Sequence, residues 1–529
     1  MARTPPMQAI QDAAAHVAAQ HEVERSTRRE FLKTAGAAGL GLTVLGGLAP
    51  PVRAATDIPR IAIVGAGLAG LTCAYRFSQT KQARNAVVEL YDANPSRLGG
   101  RCWSGRAGGA ENPFGAQVFE RGGELIDQSH TAIRHLAGEL GLRLDNLLQA
   151  TAKGTAMWGY FDGGLYSYEE MTDDIKKIWQ QLHKDVSAAG YPTLHDSSTE
   201  RGRELDRMSI VDWIELYVPG GLSSRLGQLL DVAYTIEYGG EASEQSSLNL
   251  LYLLAFAGQG QLRILGRSDE RYHVRGGNDQ IVQGMAERLA GRAAFNLDHE
   301  LVAISQTAAG RYELTFHTGS GSKTVMADKV VLAIPFSILR ANVDYANAGF
   351  EPLKDTAIRE LGMGTNTKLH VQYRERFWSA VGSSGDTFGD TGYQNTWEVT
   401  RGQPGREGIL VDYTGGTIGE SIGSGTPEEQ AERFHLALAP LYAELAGLDP
   451  AAFWNGRVQR EYWPTNPYSL GSYSFWKVGQ YIKFAGIERK RQGDCHFCGE
   501  HTSVDFQGYL NGAVESGERV AAELVADLA

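Results

Sequence analysis

At 529 residues the chain exceeds what one hydrophobic core holds, and its length points to two domains. A net charge of −12 with no basic stripe excludes nucleic acid and an anionic membrane surface as partners. Its 64 glycines are about twice average usage, which suits tight turns and backbone lying close to a ligand.

Residues 1–55 stand apart from the fold. Ser26-Thr27-Arg28-Arg29-Glu30-Phe31-Leu32-Lys33 resembles a twin-arginine export signal. An apolar, glycine-rich run from Ala35 to Ala49 follows, too short and glycine-rich for a membrane span. Small residues at Val52-Arg53-Ala54-Ala55 then suit cleavage. Export in this manner implies a periplasmic or secreted protein that loads its cofactor before translocation, with the twin-arginine translocase as a transient partner. Residues 1–54 hold six Lys/Arg against four Asp/Glu, which leaves −14 on the remaining chain.

Ile61 to Gly70 reads IAIVGAGLAG. Its mostly β-branched start predicts a strand buried on both faces, and Gly65, Gly67 and Gly70 take G-x-G-x-x-G spacing where strand turns into helix. The first glycine permits the turn, the second lets backbone approach a pyrophosphate, and the third allows close helix–strand packing. The helix, beginning near Leu68 and Ala69, directs its partly positive end at that phosphate. A second apolar stretch, Ala86 to Tyr91, ends in Asp92, about 20 residues on, where a ribose-binding carboxylate belongs.

Arg97-Leu98-Gly99-Gly100-Arg101 sets arginines beside a double glycine, a pattern suited to phosphate oxygens. Gly122-Gly123-Glu124-Leu125 follows, then a helix from about Thr131 to Leu140, stopped by Gly141. Residues 150–265 are richer in Trp, Tyr and charge and read as an inserted, largely helical domain, with helices near 173–187 and 248–256. Arg275-Gly276-Gly277-Asn278-Asp279 opens a helix through Leu289. Strands are predicted at 300–304, 312–316, 329–334 and 368–373. Cys495 and Cys498 form a C-x-x-C, but residues three apart on a strand face opposite ways. Buried structural thiols are therefore the better reading, and no metal site is expected. After Phe497-Cys498-Gly499-Glu500-His501-Thr502, a second glycine turn at Gly508 feeds a helix near Tyr509. Two nucleotide-type helix starts, over four hundred residues apart, imply one ligand gripped from both ends of the chain.

Together, in this order, the Gly65–Gly70 turn, Arg97 to Arg101, Gly122-Gly123, Arg275-Gly276-Gly277, Gly364 to Lys368 with Phe377-Trp378, and Glu500 to Gly517 resemble the flavin-dependent amine oxidase superfamily. That superfamily holds monoamine, polyamine and L-amino acid oxidases, and the resemblance covers nearly all of residues 57–529. It implies an α/β two-domain fold: a Rossmann-like FAD-binding domain of the glutathione-reductase/amine-oxidase type (56–148, 267–345 and 467–529) with an interleaved substrate-binding domain (149–266 and 346–466).

The resemblance further implies FAD, its adenosine end at Gly65, Gly67, Leu68, Ala69, Gly70 and Asp92, and its adenine against backbone near Val302. Arg101 meets the pyrophosphate, and Gly99, Gly100 and Glu500 also belong to the cofactor site. The ring lies against Gly122 to Leu125 and Gly508 to Leu510. One extra residue between Asp92 and Gly99 departs from the family pattern and leaves the reach of Arg97 open. Lys368 falls where the family keeps a lysine that holds a water near flavin N5. Trp463 and Tyr473 match an aromatic pair on the substrate side, with Tyr509 as a second wall of the cage. Ser472 stands where monoamine oxidases carry a flavin-linked cysteine, so FAD is expected to be non-covalent.

The implied reaction is hydride transfer from the carbon bearing an amine to the flavin, imine hydrolysis, and reoxidation by dioxygen to give peroxide. Glu124 and Asp127 suit a cationic amine. An amine oxidase is thus favoured over an L-amino acid oxidase for basic substrates, and a dehydrogenase or desaturase with another acceptor stays open, as does a homodimer.

Overall fold

The computed structural model describes residues 58–106, 108–109, 112–255 and 268–529; the export segment expected over 1–55 lies outside them. Strands Cys495–Phe497, Lys329–Leu332, Arg60–Val64, Val87–Tyr91 and Ala294–Asn296 form, in that order, a five-stranded sheet, parallel throughout. Ile63 pairs with Leu90 on one side and Val331 on the other. The apolar run at 61–64 is buried on both faces, as a parallel sheet between two layers requires. Ile61, Ile63 and Val331 face the helices Leu68–Ser78, Gln280–Leu289 and Leu510–Asp527. Ala62, Val64 and Leu332 face the antiparallel meander of 300–306, 312–318 and 321–327.

The first and last helices of the described chain touch. A Cβ on Gly517 would lie 2.5 Å from the Ala69 carbonyl oxygen, so only glycine allows this backbone approach. The C-terminal helix thereby seals the N-terminal one.

A second sheet has seven strands, ordered Trp454–Tyr462, Thr367–Tyr373, Gly408–Thr414, Asn395–Glu398, Ser383–Gly389, Ala156–Phe161 and Gly164–Ser167. The segment expected to be largely helical therefore opens with a hairpin that extends this sheet, Ala156–Phe161 running parallel to Ser383–Gly389. Its short strands carry too few residues for period two to stand out in sequence. Helices follow: Tyr168–Ala189, Ile210–Tyr217, Arg225–Tyr238 and Ser247–Leu254. The first starts earlier than its apolar pattern suggests because Ser167 and Glu170 close a capping box. All four cysteines are buried and unpaired.

Candidate active site

A cavity of about 610 Å³ runs from the glycine turn to an aromatic end. At the turn, Gly65 adopts φ +99° and its N–H donates to the Tyr91 carbonyl at 2.7 Å. A Cβ on Gly70 would collide with the Gly65 carbonyl oxygen, whereas one on Gly67 would meet nothing nearer than Gly99 O at 4.0 Å. Gly67, the residue before helix Leu68–Ser78, thus offers bare backbone to the cavity. Leu68 and Ala69 line it beside Gly65 and Gly67, and Gly70 packs behind. Asp92 ends its strand there and accepts from Ala66 N at 2.7 Å and Asn94 N at 2.8 Å. Burial raises its carboxyl pKa above the usual value against those donors and Arg97.

Arg97 lines the cavity, but its guanidinium stacks 4.0 Å from the Trp103 ring and donates to Gly100 O at 2.8 Å. Arg121 covers the same ring at 4.4 Å. Val302 does not reach the cavity. Its position is a β-bulge whose carbonyl accepts from Asp344 N, and the neighbouring His299, Glu300 and Leu301 line the wall instead. The backbone contact expected near Val302 therefore falls to these immediate neighbours of that residue.

Midway, Arg101 donates to Glu500 at 2.9 Å and to Ser472 O at 2.7 Å. Glu500 also accepts from Ser474 Oγ and from Gly508 N at 2.9 Å. Burial opposes its charge, yet Arg101, His501 and Ser474 together hold it below the ordinary glutamate value. One carboxylate thus ties the arginine after the first double glycine to the C-terminal turn. Gly99 N donates to Ala66 O at 2.9 Å, drawing Gly99 and Gly100 against the first turn.

At the aromatic end, Gly122, Gly123, Glu124 and Leu125 form one wall. Asn278, from the Arg275-Gly276-Gly277 motif, staples that strip through Gly123 O at 3.0 Å and Glu124 O at 2.8 Å. Trp463 donates its indole N–H to Arg121 O. The Tyr473 hydroxyl bonds the Tyr413 hydroxyl at 2.6 Å and donates to Ile236 O, while Tyr509 donates to Glu237. Gly508 lies beside the Tyr473 ring, and Leu510 packs against Gly123.

Three expected roles change. The Lys368 ammonium donates to Glu120 O at 3.2 Å, Gly122 O at 2.9 Å and Glu124 Oε2 at 2.7 Å. Three protein acceptors take its three N–H groups, so the water-holding role expected of Lys368 is not supported by its hydrogen bonds. Glu124 is the partner of that lysine and of Trp397. Asp127 sits behind the cavity wall, accepting from the cavity-lining Ser268 Oγ and Glu270 N, both at 2.9 Å, beside His130 at 3.2 Å. It anchors the cavity rim and is corrected from a substrate contact to a support for Glu270.

Glu237, Glu270, Asp386, Trp397 and Tyr413 line the cavity and were missed in the sequence. None belongs to a glycine motif; the one local signal is a carboxylate, Glu237, on the buried stretch of a helix. Asp386 is paired with Arg401 at 2.6 Å. Burial first, then the charge of Asp127, pushes Glu237 up to about 7.

This cradle suits the FAD that the resemblance implies: bare backbone at Gly67 and Gly100, a carboxylate at Asp92, a paired arginine midway, and an aromatic end for a planar ring.

Residues 68–525 match the family described as "Flavin containing amine oxidoreductase". The chain is 26% identical over 479 residues (88% of it, 97% of the relative) to a protein of Dictyostelium discoideum named as a probable flavin-containing monoamine oxidase A. It is 25% identical over 520 residues (95% and 97%) to nicotine dehydrogenase of Pseudomonas putida. The structure of cyclohexylamine oxidase from Brevibacterium oxydans superposes with a TM-score of 0.74 at 20% identity, covering 89% of this chain and all of the other, which establishes a common fold. With the family match spanning most of its length, the chain belongs to the flavin-containing amine oxidoreductases.

Proposed function

We propose that this chain is an exported amine oxidase that binds FAD non-covalently and takes small cationic amines in preference to amino acids. When bound, FAD supplies the hydride-accepting chemistry, and dioxygen restores it with release of peroxide. The chain supplies the rest. Tyr473, Tyr509 and Trp463 enclose the substrate carbon and exclude water, and aromatic faces favour an approaching amine.

One observation carries the substrate preference. At the aromatic end Glu237 and Glu270 line the cavity without an ion-pair partner among the described residues, whereas Lys368 is paired with Glu124. Farther along, Arg101 is paired with Glu500 and Arg97 lies over Trp103. Among the described residues the cations lining the cavity are thus each engaged and leave a substrate carboxylate no free partner, whereas Glu237 offers a cationic amine a carboxylate once it ionises near pH 7. Burial, then the charges of Glu237 and Asp127, push the Glu270 carboxyl well up, so it adds little charge there.

The domain reading is supported by the sheets: the parallel sheet draws strands from 56–148, 267–345 and 467–529, the seven-stranded one from 149–266 and 346–466. Export rests on the Arg28-Arg29 motif, and cell fractionation with Arg28→Lys/Arg29→Lys tests it; an unchanged distribution would sink that part. The decisive test of activity is anaerobic bleaching of the flavin by a panel of monoamines, diamines and L-amino acids. Amines are expected to bleach it faster. Bleaching by amino acids alone would make the chain an L-amino acid oxidase.

A further inference from the structure

Lys368 and Glu124 lie 244 residues apart, and only 5% and 7% of their surfaces are exposed. The Lys368 ammonium donates to three acceptors, and the Glu124 carboxylate accepts from Lys368 on Oε2 and from the Trp397 indole on Oε1. The ammonium also sits 5.5 Å from the Trp397 ring. Trp397 packs against Tyr413 at 5.1 Å, and Tyr413 bonds Tyr473. The pair is therefore built into the same wall as the aromatic cage.

A lone ammonium projects the field of a full charge into a water-poor cavity. An ammonium held 2.7 Å from a carboxylate projects only that of a dipole, which falls off much faster with distance. Reoxidation moves two electrons and two protons from the reduced flavin to dioxygen, giving peroxide, and negative charge develops on oxygen on the way. A nearby cation speeds such a step. We propose that Glu124 is a positioning residue that compensates the charge of Lys368 and so holds oxygen reactivity below what the lysine alone would confer. Glu124 thereby sets how far this enzyme acts as an oxidase. The inference rests on the flavin reading above.

The test uses Glu124→Gln and Glu124→Ser in the full chain loaded with FAD, so that one substitution carries the readout if the other does not fold. Sulfite, an anion that adds to oxidised flavin, serves as a probe of the local field that needs no turnover. Removing the carboxylate is expected to tighten sulfite binding at least tenfold and to speed the return of reduced flavin by air at least tenfold. Lys368→Met should weaken sulfite binding relative to both. Sulfite affinity and air oxidation within twofold of wild type in a folded, flavin-loaded Glu124 variant would overturn the proposal. A wild-type protein that takes up no flavin would instead overturn the flavin reading, and this inference with it.

Discussion

The Tyr509 phenol, at the start of the last helix, donates to Glu237 Oε1 at 2.5 Å across 272 residues of sequence. It thereby holds one wall of the aromatic cage against a carboxylate of the opposite helix. Because burial pushes Glu237 up to about 7, this carboxylate titrates within the working range of an enzyme. It gains its charge as pH rises through about 7, and with it an attraction for a cationic amine. Specificity (kcat/KM) for such an amine should therefore climb through that pH. Glu237→Gln should flatten this limb and raise KM more than it lowers kcat. An unchanged limb in the variant would assign the titration to another group.

Lys368→Met removes one member of a buried ion pair and leaves Glu124 with the Trp397 indole as its remaining side-chain donor. Breaking such a pair from one side costs about 3–5 kcal/mol. Thermal melts should show Lys368→Met well below wild type, with part of the loss recovered in Lys368→Met/Glu124→Gln. Equal melting of the single and double variants would mean the carboxylate is not left stranded.

Ser472 is buried, and its hydroxyl donates to Asn366 Oδ1 at 2.6 Å. An oxygen there cannot form a thioether. Acid precipitation should release all yellow colour to the supernatant; colour kept in the pellet would contradict a non-covalent cofactor.

Asp412 lies inside the seven-stranded sheet, opposite Leu369 and Thr396, and burial pushes its carboxyl up to about 8. The unfolded chain loses this proton near pH 4, so between about 4 and 8 the unfolded state binds fewer protons and stability falls as pH rises. Asp412→Asn removes that dependence. The variant's melting temperature should gain on wild type from pH 5 to 8 and then hold its lead. A constant offset from pH 5 to 9 would show that Asp412 does not titrate in the fold.

Local features were the legible ones. Predicted strands and helices at 61–64, 86–91, 131–140, 300–304 and 312–316 match observed elements within a few residues, because period and punctuation are written in adjacent residues. The cavity residues borne by glycine motifs could be named for the same reason. Asp127 was misplaced because sequence proximity to a motif does not say what a side chain will bond. Glu237, Glu270 and Asp386 escaped notice because each reaches the cavity from a separate segment.

The sequence by itself determined the strand–turn–helix at Ile61–Gly70, the matching turn before Tyr509 and hence the family, since a tight turn with bare backbone needs glycine at set intervals. Tertiary structure alone decided the charge of the cleft. Lys368 meets Glu124, and Tyr509 meets Glu237, only because sheet register and helix packing bring distant segments together, and electrostatic compensation acts over a few ångströms of space irrespective of separation along the chain.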